Sequence, residues 1–187
     1  TEELQGTFPG FLATAWLKPD RTIVWNFPHP ENAMTEGKNL SRHPLAGAVL
    51  KQAKETERPI ATPPLDLIQG GRGFVVFVAA IANDDLHGFV GGPFRFDILK
   101  QRLLAGELSG SFSISVTDDD KTVLSVGGTG AAPSIETTRQ ITVADRLWTL
   151  KLGVHQLNST RWLEMVASLL LPILLSIVTL VAVRRDN

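Results

Sequence analysis

Eighteen uncharged residues near the C-terminus, Val166–Val183 (VASLLLPILLSIVTLVAV), constrain this chain more than any other feature. At 1.5 Å per residue such a helix is roughly 27 Å long, about the thickness of a bilayer's hydrocarbon core. The run has no polar face, so it does not read as the amphipathic helix of a soluble core, and it predicts one transmembrane helix. Trp162 precedes it, where an indole lies at headgroup level, and Arg184 and Arg185 follow it. By the positive-inside rule the pair of arginines places the C-terminus in the cytoplasm. Pro172 removes one helical hydrogen bond near the middle and predicts a kink there. The expected organisation is an extracytoplasmic domain at 1–155, a juxtamembrane segment at 156–165, the helix at 166–183 and a cytoplasmic tail at 184–187. Residues 1–161 would have crossed the membrane, yet the chain opens Thr1-Glu2-Glu3 with no signal sequence. An upstream signal or first membrane span is therefore expected, the chain being a piece of a longer protein or a processed single-pass subunit.

With 18 Lys and Arg against 19 Asp and Glu, the formal net charge is −1. That balance argues against a phosphate-binding surface and against nucleic acid as a partner. The absence of cysteine excludes disulfides, thiolate nucleophiles and cysteine-based metal sites.

Before the apolar run, hydropathy periodicity predicts an α+β domain. FLATAWL (Phe11–Leu17) and TIVWNF (Thr22–Phe27) alternate with period two and flank Lys18-Pro19-Asp20-Arg21, a turn sequence, so they predict a hairpin. Ile23, Trp25 and Phe27 are expected to share one face of it. Pro44 opens a helix whose stripe is Leu45, Val49 and Ala53, backed by Ala46 and Leu50, with Lys51, Lys54, Glu55 and Glu57 in water. Phe74–Ile81 is apolar on both faces and predicts a central strand buried on both sides. Asn83-Asp84-Asp85 turns it into Gly88–Phe96. A short helix follows from Asp97, then strands near Phe112–Val116, Thr122–Val126 and Leu147–Leu152. This order predicts one PAS-like antiparallel sheet with flanking helices, followed by the transmembrane helix.

Catalytic signals are weak. Gln69-Gly70-Gly71-Arg72-Gly73 is neither a P-loop nor a dinucleotide fingerprint, and a strand follows it; it predicts a tight turn with positive φ at glycine. Asp118-Asp119-Asp120 lacks the spacing of a calcium loop and predicts a solvated hairpin turn. The histidines (His29, His43, His87 and His155) are scattered without metal-ligand spacing. No nucleophile elbow or acid–base carboxylate pair stands out, so neither an enzyme nor a cofactor is expected.

The segments PGFLATAW (Pro9–Trp16), IVWNFP (Ile23–Pro28), GKNLSRHP (Gly37–Pro44), ATPPLDLIQGGRGFVVF (Ala61–Phe77), LHGFVGGPFRFDILKQRLL (Leu86–Leu104) and DRLWTLKL (Asp145–Leu152) occur in an order that resembles the CHASE domains. These are extracellular sensory modules of histidine kinases, diguanylate cyclases, related phosphodiesterases and cytokinin receptors. The resemblance covers nearly all of residues 8–155. It implies a small-molecule sensory domain of a membrane-bound receptor, a histidine kinase or cyclic-di-nucleotide enzyme, in a bacterial inner membrane and acting as a homodimer. The alternative is a membrane-anchored accessory subunit of a larger complex, docking on partner subunits. A PAS-like sheet can hold a ligand between sheet and loops. The expected lining is Trp16, Trp25, Phe74, Phe77 and Phe89, with Thr62, Asp66 and Arg95 as orienting polar groups. By resemblance to cytokinin-type relatives the Phe77 face of the central strand is assigned to the ligand, which leaves the Phe74 face for the helix that begins at Pro44.

Overall fold

The computed structural model describes residues 10–29, 31–104, 112–128 and 132–155. The expected transmembrane helix, with Trp162, Pro172, Arg184 and Arg185, lies outside them. Among the described residues no helix is long and apolar enough to cross a membrane.

The first hairpin forms from β1 (Thr14–Leu17) and β2 (Ile23–Phe27), and Arg21 N–H donates to the Lys18 carbonyl at 2.8 Å to close its turn. Its register slips by one residue, Trp16 facing Trp25 while Leu17 faces Ile23, so Val24 is the extra residue of a bulge. A bulge inverts the side-chain alternation. Ile23 and Asn26 point inward, whereas Val24, Trp25 and Phe27 point out. The expected common face of Ile23, Trp25 and Phe27 is therefore corrected: Trp25 and Phe27 stack on each other outside, their ring centroids 6.0 Å apart, and Ile23 is core.

Helix α1 (Ala46–Thr56) buries Ala46, Gly47, Val49, Leu50 and Ala53 and leaves its lysines and glutamates in water, as its stripe requires. Its N-terminus is closed by His43, whose Nδ1 accepts the N–H groups of Leu45 at 3.3 Å and Ala46 at 3.1 Å. Two short strands follow, β3 (Ile60–Ala61) and β4 (Leu65–Asp66), in a stretch read as loop from sequence. Each has only two residues, too few to show a period.

The long strands β5 (Arg72–Ala82) and β6 (Asp85–Arg95) pair antiparallel through Asn83-Asp84, both with positive φ, as a two-residue hairpin turn demands. Gly70 and Gly71 also take positive φ in the turn into β5. The first sheet runs β2-β1-β6-β5-β3, with β4 also on β5, and every pairing is antiparallel.

Helix α2 (Phe96–Leu104) leads to a second sheet, ordered β8-β7-β10-β9, from β7 (Phe112–Asp118), β8 (Lys121–Gly127), β9 (Ile135–Val143) and β10 (Arg146–Val154). Two sheets thus replace the single one expected. β9 was not legible because it is an edge strand with almost no buried face; threonines and polar residues carry no alternation.

The two faces of β5 serve two cores. Phe77, Val75 and Ala79 pack with α1 and β1, while Phe74 and Val76 pack with Phe96, Val116 and Trp148 of α2 and the second sheet. The helix therefore lies on the Phe77 face, not the Phe74 face. The reason is the second sheet, whose Trp148 needs a partner: it meets Phe74 edge-on at 5.0 Å, and Phe74 in turn stacks on Phe94 of the neighbouring β6 at 5.0 Å.

Candidate functional site

Between the first sheet, the N-terminal turn of α1 and the β4 loop lies a cavity of about 60 Å³. Small residues make the room. Ala15 on β1, Ala46 on α1 and Gly91 on β6 line it, and a Cβ at Gly91 would stand 2.9 Å from the Phe77 ring. Leu17, Ile23 and Phe77 form an apolar floor. Asp66, Leu67 and Gln69 form a rim at the β4 loop, whose turn is held by bonds from Gly70 N–H to Leu67 O and from Leu67 N–H to Gly71 O.

Asn26 is the distinctive group of this wall. It is 1% exposed, it lines the cavity, and neither Oδ1 nor Nδ2 has a hydrogen-bond partner among the described residues. An unpaired buried polar group costs about 1–3 kcal/mol, so native structures rarely keep one without a use. Asp66 and Gln69 sit at the rim, and the two other polar side chains of the wall are already engaged. Thr35 Oγ1 donates to the Asn32 carbonyl at 2.9 Å, and His43 Nδ1 is committed to the start of α1. With Nδ1 as acceptor, a neutral His43 carries its proton on Nε2.

Of the eight residues expected from sequence, the structure places two, Asp66 and Phe77, on the cavity. Phe89 is 1% exposed and belongs to the core beside α1, and Phe74 belongs to the other core. Trp16 covers the opposite side of β1, against Gly88, and Trp25 is 49% exposed. Thr62 is buried but serves the sheet: its Oγ1 accepts the Val75 N–H at 3.0 Å. Arg95 is tied to Asp97 through Nε at 2.8 Å and through a second, shorter bond from Nη2. That contact holds the Asp97 carboxyl below its ordinary value, with burial opposing it slightly.

Sequence reasoning missed Asn26, Thr35 and His43. Period-two reading turned Asn26 outward, because a bulge is invisible to periodicity. One signal existed: asparagine is depleted in strands, so its presence inside IVWNF called for a reason. Asp118 is a second correction. It is buried on β7 and bonded to Arg146, and the solvated turn is Asp119-Asp120, both with positive φ.

A PAS-like antiparallel sheet, with a pocket between sheet, helix and loop and a second sheet packed on its other face, is the fold that carries the site. The chain belongs to the CHASE domain family, which its residues 7–126 match. Solved structures of that fold align with it. An extracellular ligand-binding receptor from Desulfohalobium retbaense superposes at TM-score 0.61 with 14% identity, over 83% of this chain and 32% of that one. The ligand-binding domain of the Pseudomonas fluorescens chemoreceptor CtaA, in complex with L-serine, gives 0.58 and 17%, over 83% and 76%. That of the Pseudomonas aeruginosa chemoreceptor PctC, in complex with GABA, gives 0.54 and 17%, over 78% and 74%. The chain thus spans about a third of the Desulfohalobium receptor and three quarters of the two chemoreceptor domains, and at these identities the likeness is one of fold. No curated protein matches the sequence.

Proposed function

We propose that this chain is the extracytoplasmic small-molecule sensor of a membrane-bound signalling receptor, a histidine kinase or cyclic-di-nucleotide enzyme, that works as a homodimer in a bacterial inner membrane. In this reading the segment Val166–Val183 anchors the domain, and the domain itself senses and does not catalyse. The observation that carries the reading is the cavity of the CHASE-matched sheet, with a fully buried carboxamide that no group among the described residues satisfies.

A route out of the cavity supports the same reading. Asp145, in the turn before β10, accepts the Ala61 N–H at 2.8 Å and faces Gln52 Nε2 of α1 at 3.4 Å. β10 runs from that latch to Val154, towards the C-terminal apolar segment. A ligand that moves α1 or β3 would pull on β10, provided that it binds the two positions of the latch with different affinity.

The test is a titration of the ¹⁵N-labelled full chain in detergent micelles with a panel of small metabolites that spans anionic, zwitterionic, cationic and neutral compounds. At least one class is expected to shift the resonances of Asn26 and of residues 65–69. If none of the four moves them, the sensory role is wrong.

A further inference from the structure

The chemistry of the cavity wall specifies what it takes. We infer that the ligand is a small molecule without a carboxylate and with an amide or lactam edge, paired through two hydrogen bonds to the side chain of Asn26. This rests on the sensory reading above and narrows it.

Oδ1 and Nδ2 of Asn26 are unpaired but covered, and a turn of the side chain into the cavity that Asn26 lines would present them to a ligand as a donor and an acceptor side by side. A single ligand group satisfies both with the reverse donor and acceptor on one carbon, as in a primary amide, a urea or the cis amide of a lactam. A carboxylate offers acceptors alone and would leave Oδ1 facing another oxygen. The charge of the wall points the same way. Among the described residues no lysine or arginine lines the cavity, and its one carboxylate, Asp66, would repel an anion. The nearest cationic candidate from sequence, Arg95, is held by Asp97.

The start of α1 is closed to anions too. Ala46 brings the helix N-terminus to the cavity, where free N–H groups would attract a carboxylate. Those of Leu45 and Ala46 are spent on His43 Nδ1, and that of Gly47 on the His43 carbonyl at 2.9 Å. A free α-amino acid would bury its carboxylate here with no cation and no free helix donor, at a desolvation cost that apolar contacts do not offset. The site is thus built differently from what the L-serine and GABA complexes of its structural relatives would suggest.

Size narrows the class further. One water needs about 10–15 Å³ of such volume, so about 60 Å³ admits roughly four to six water-sized atoms. Short-chain carboxamides and five-membered lactams fall in that range. Leu17, Ile23 and Phe77 would receive the hydrocarbon part.

The experiment compares 2-pyrrolidone with cyclopentanone, the same ring without the N–H donor, and with L-serine, L-alanine and butyrate. Each is titrated into the full chain in detergent micelles, read by thermal shift and by the side-chain ¹⁵NH₂ signals of Asn26. 2-Pyrrolidone is expected to bind at least tenfold more tightly than cyclopentanone and to move the Asn26 signals, while the amino acids and butyrate do neither. Asn26→Leu, similar in volume, is expected to erase the tenfold discrimination. The ¹⁵NH₂ readout in the unaltered chain stands even if that variant does not fold. Amino acids or butyrate moving the Asn26 signals would overturn the amide specificity and leave the sensory role standing. Equal binding of both rings, or discrimination surviving in Asn26→Leu, would also overturn it. Silence from every probe would sink this specificity, and silence extended across the four-class metabolite panel would sink the sensory role with it.

Discussion

Replacing Asp118 by alanine should be among the costliest single changes in the second sheet. Asp118 is 3% exposed, and the Arg146 side chain is 17% exposed. Arg146 Nε donates to both Asp118 oxygens at 2.9 Å, and Nη2 reaches Asp118 Oδ2 at 2.9 Å and Asp119 Oδ2 at 2.7 Å. Burial works against the guanidinium's charge, but the bonds and charges of the two aspartates outweigh it and hold its pKa above the ordinary value. Breaking a buried pair costs about 3–5 kcal/mol, because the remaining charge stays desolvated. Asp118→Ala leaves Asp119 as a partial partner, so the lower end applies, about 3 kcal/mol. Arg146→Met strands the more deeply buried carboxylate and belongs at the upper end, about 4–5 kcal/mol. The double variant removes both charges, so a double-mutant cycle should show a coupling of at least about 2 kcal/mol. For a chain of this size each kcal/mol moves Tm by about 2–4 °C, which puts Asp118→Ala roughly 6–12 °C below wild type. Thermal melts followed by tryptophan fluorescence suit the test, since Trp148 is buried two residues from Arg146. An Asp118→Ala melt within about 2 °C of wild type, or strictly additive single changes, would show a solvent-screened pair and refute this reasoning.

Asp145→Ala leaves the buried Ala61 N–H without its acceptor, and a loss of about 1–2 kcal/mol is expected in urea unfolding, whereas Asp145→Asn keeps an acceptor oxygen and should lose less than half of that. Phe74→Ala should cost about 4–5 kcal/mol, since Phe74 contacts three rings, while Phe77→Ala should cost about 3 kcal/mol because its ring already borders empty space; equal melting points for the two would contradict the placement of the cavity. The Arg95–Asp97 pair lowers the Asp97 pKa from 3.8, so its stabilisation is present above that pH and is lost as pH falls through the lower folded-state value. Because Asp97 is half exposed, Asp97→Asn should cost under about 1 kcal/mol at pH 7, and the cost should shrink as pH falls below 3.8; a larger loss, or one that does not shrink in acid, would rule out the ion pair as its source.

Sequence alone determined those elements whose residues interact with their chain neighbours or with bulk solvent. The stripe of α1 places its own polar and apolar faces, Asn83-Asp84 and Gly70-Gly71 place turns by their tolerance of positive φ, and the apolar run Phe74–Ile81 announces a strand, although only Phe74–Phe77 is covered on both faces and Val78 is exposed. Family membership was legible as well: five of the six segments read from sequence lie within the matched residues 7–126, and Asp145–Leu152 lies beyond them. Tertiary structure alone decided which face met what. Phe74 and Phe77 are chemically alike and adjacent in alternation; only the second sheet, with Trp148 and Phe96, claims the Phe74 face and leaves the other to α1. The bulge at Val24 depends on the pairing of β1 with β2, a non-local hydrogen-bond register that no period within IVWNF encodes. That one-residue slip turns Asn26 inward and Trp25 outward. Asp118 differs from its neighbours Asp119 and Asp120 only because Arg146, 28 residues later, is brought beside it. Local chemistry therefore wrote the elements, and pairing across the fold chose the residues that face the cavity, because burial and charge compensation are properties of neighbours in space.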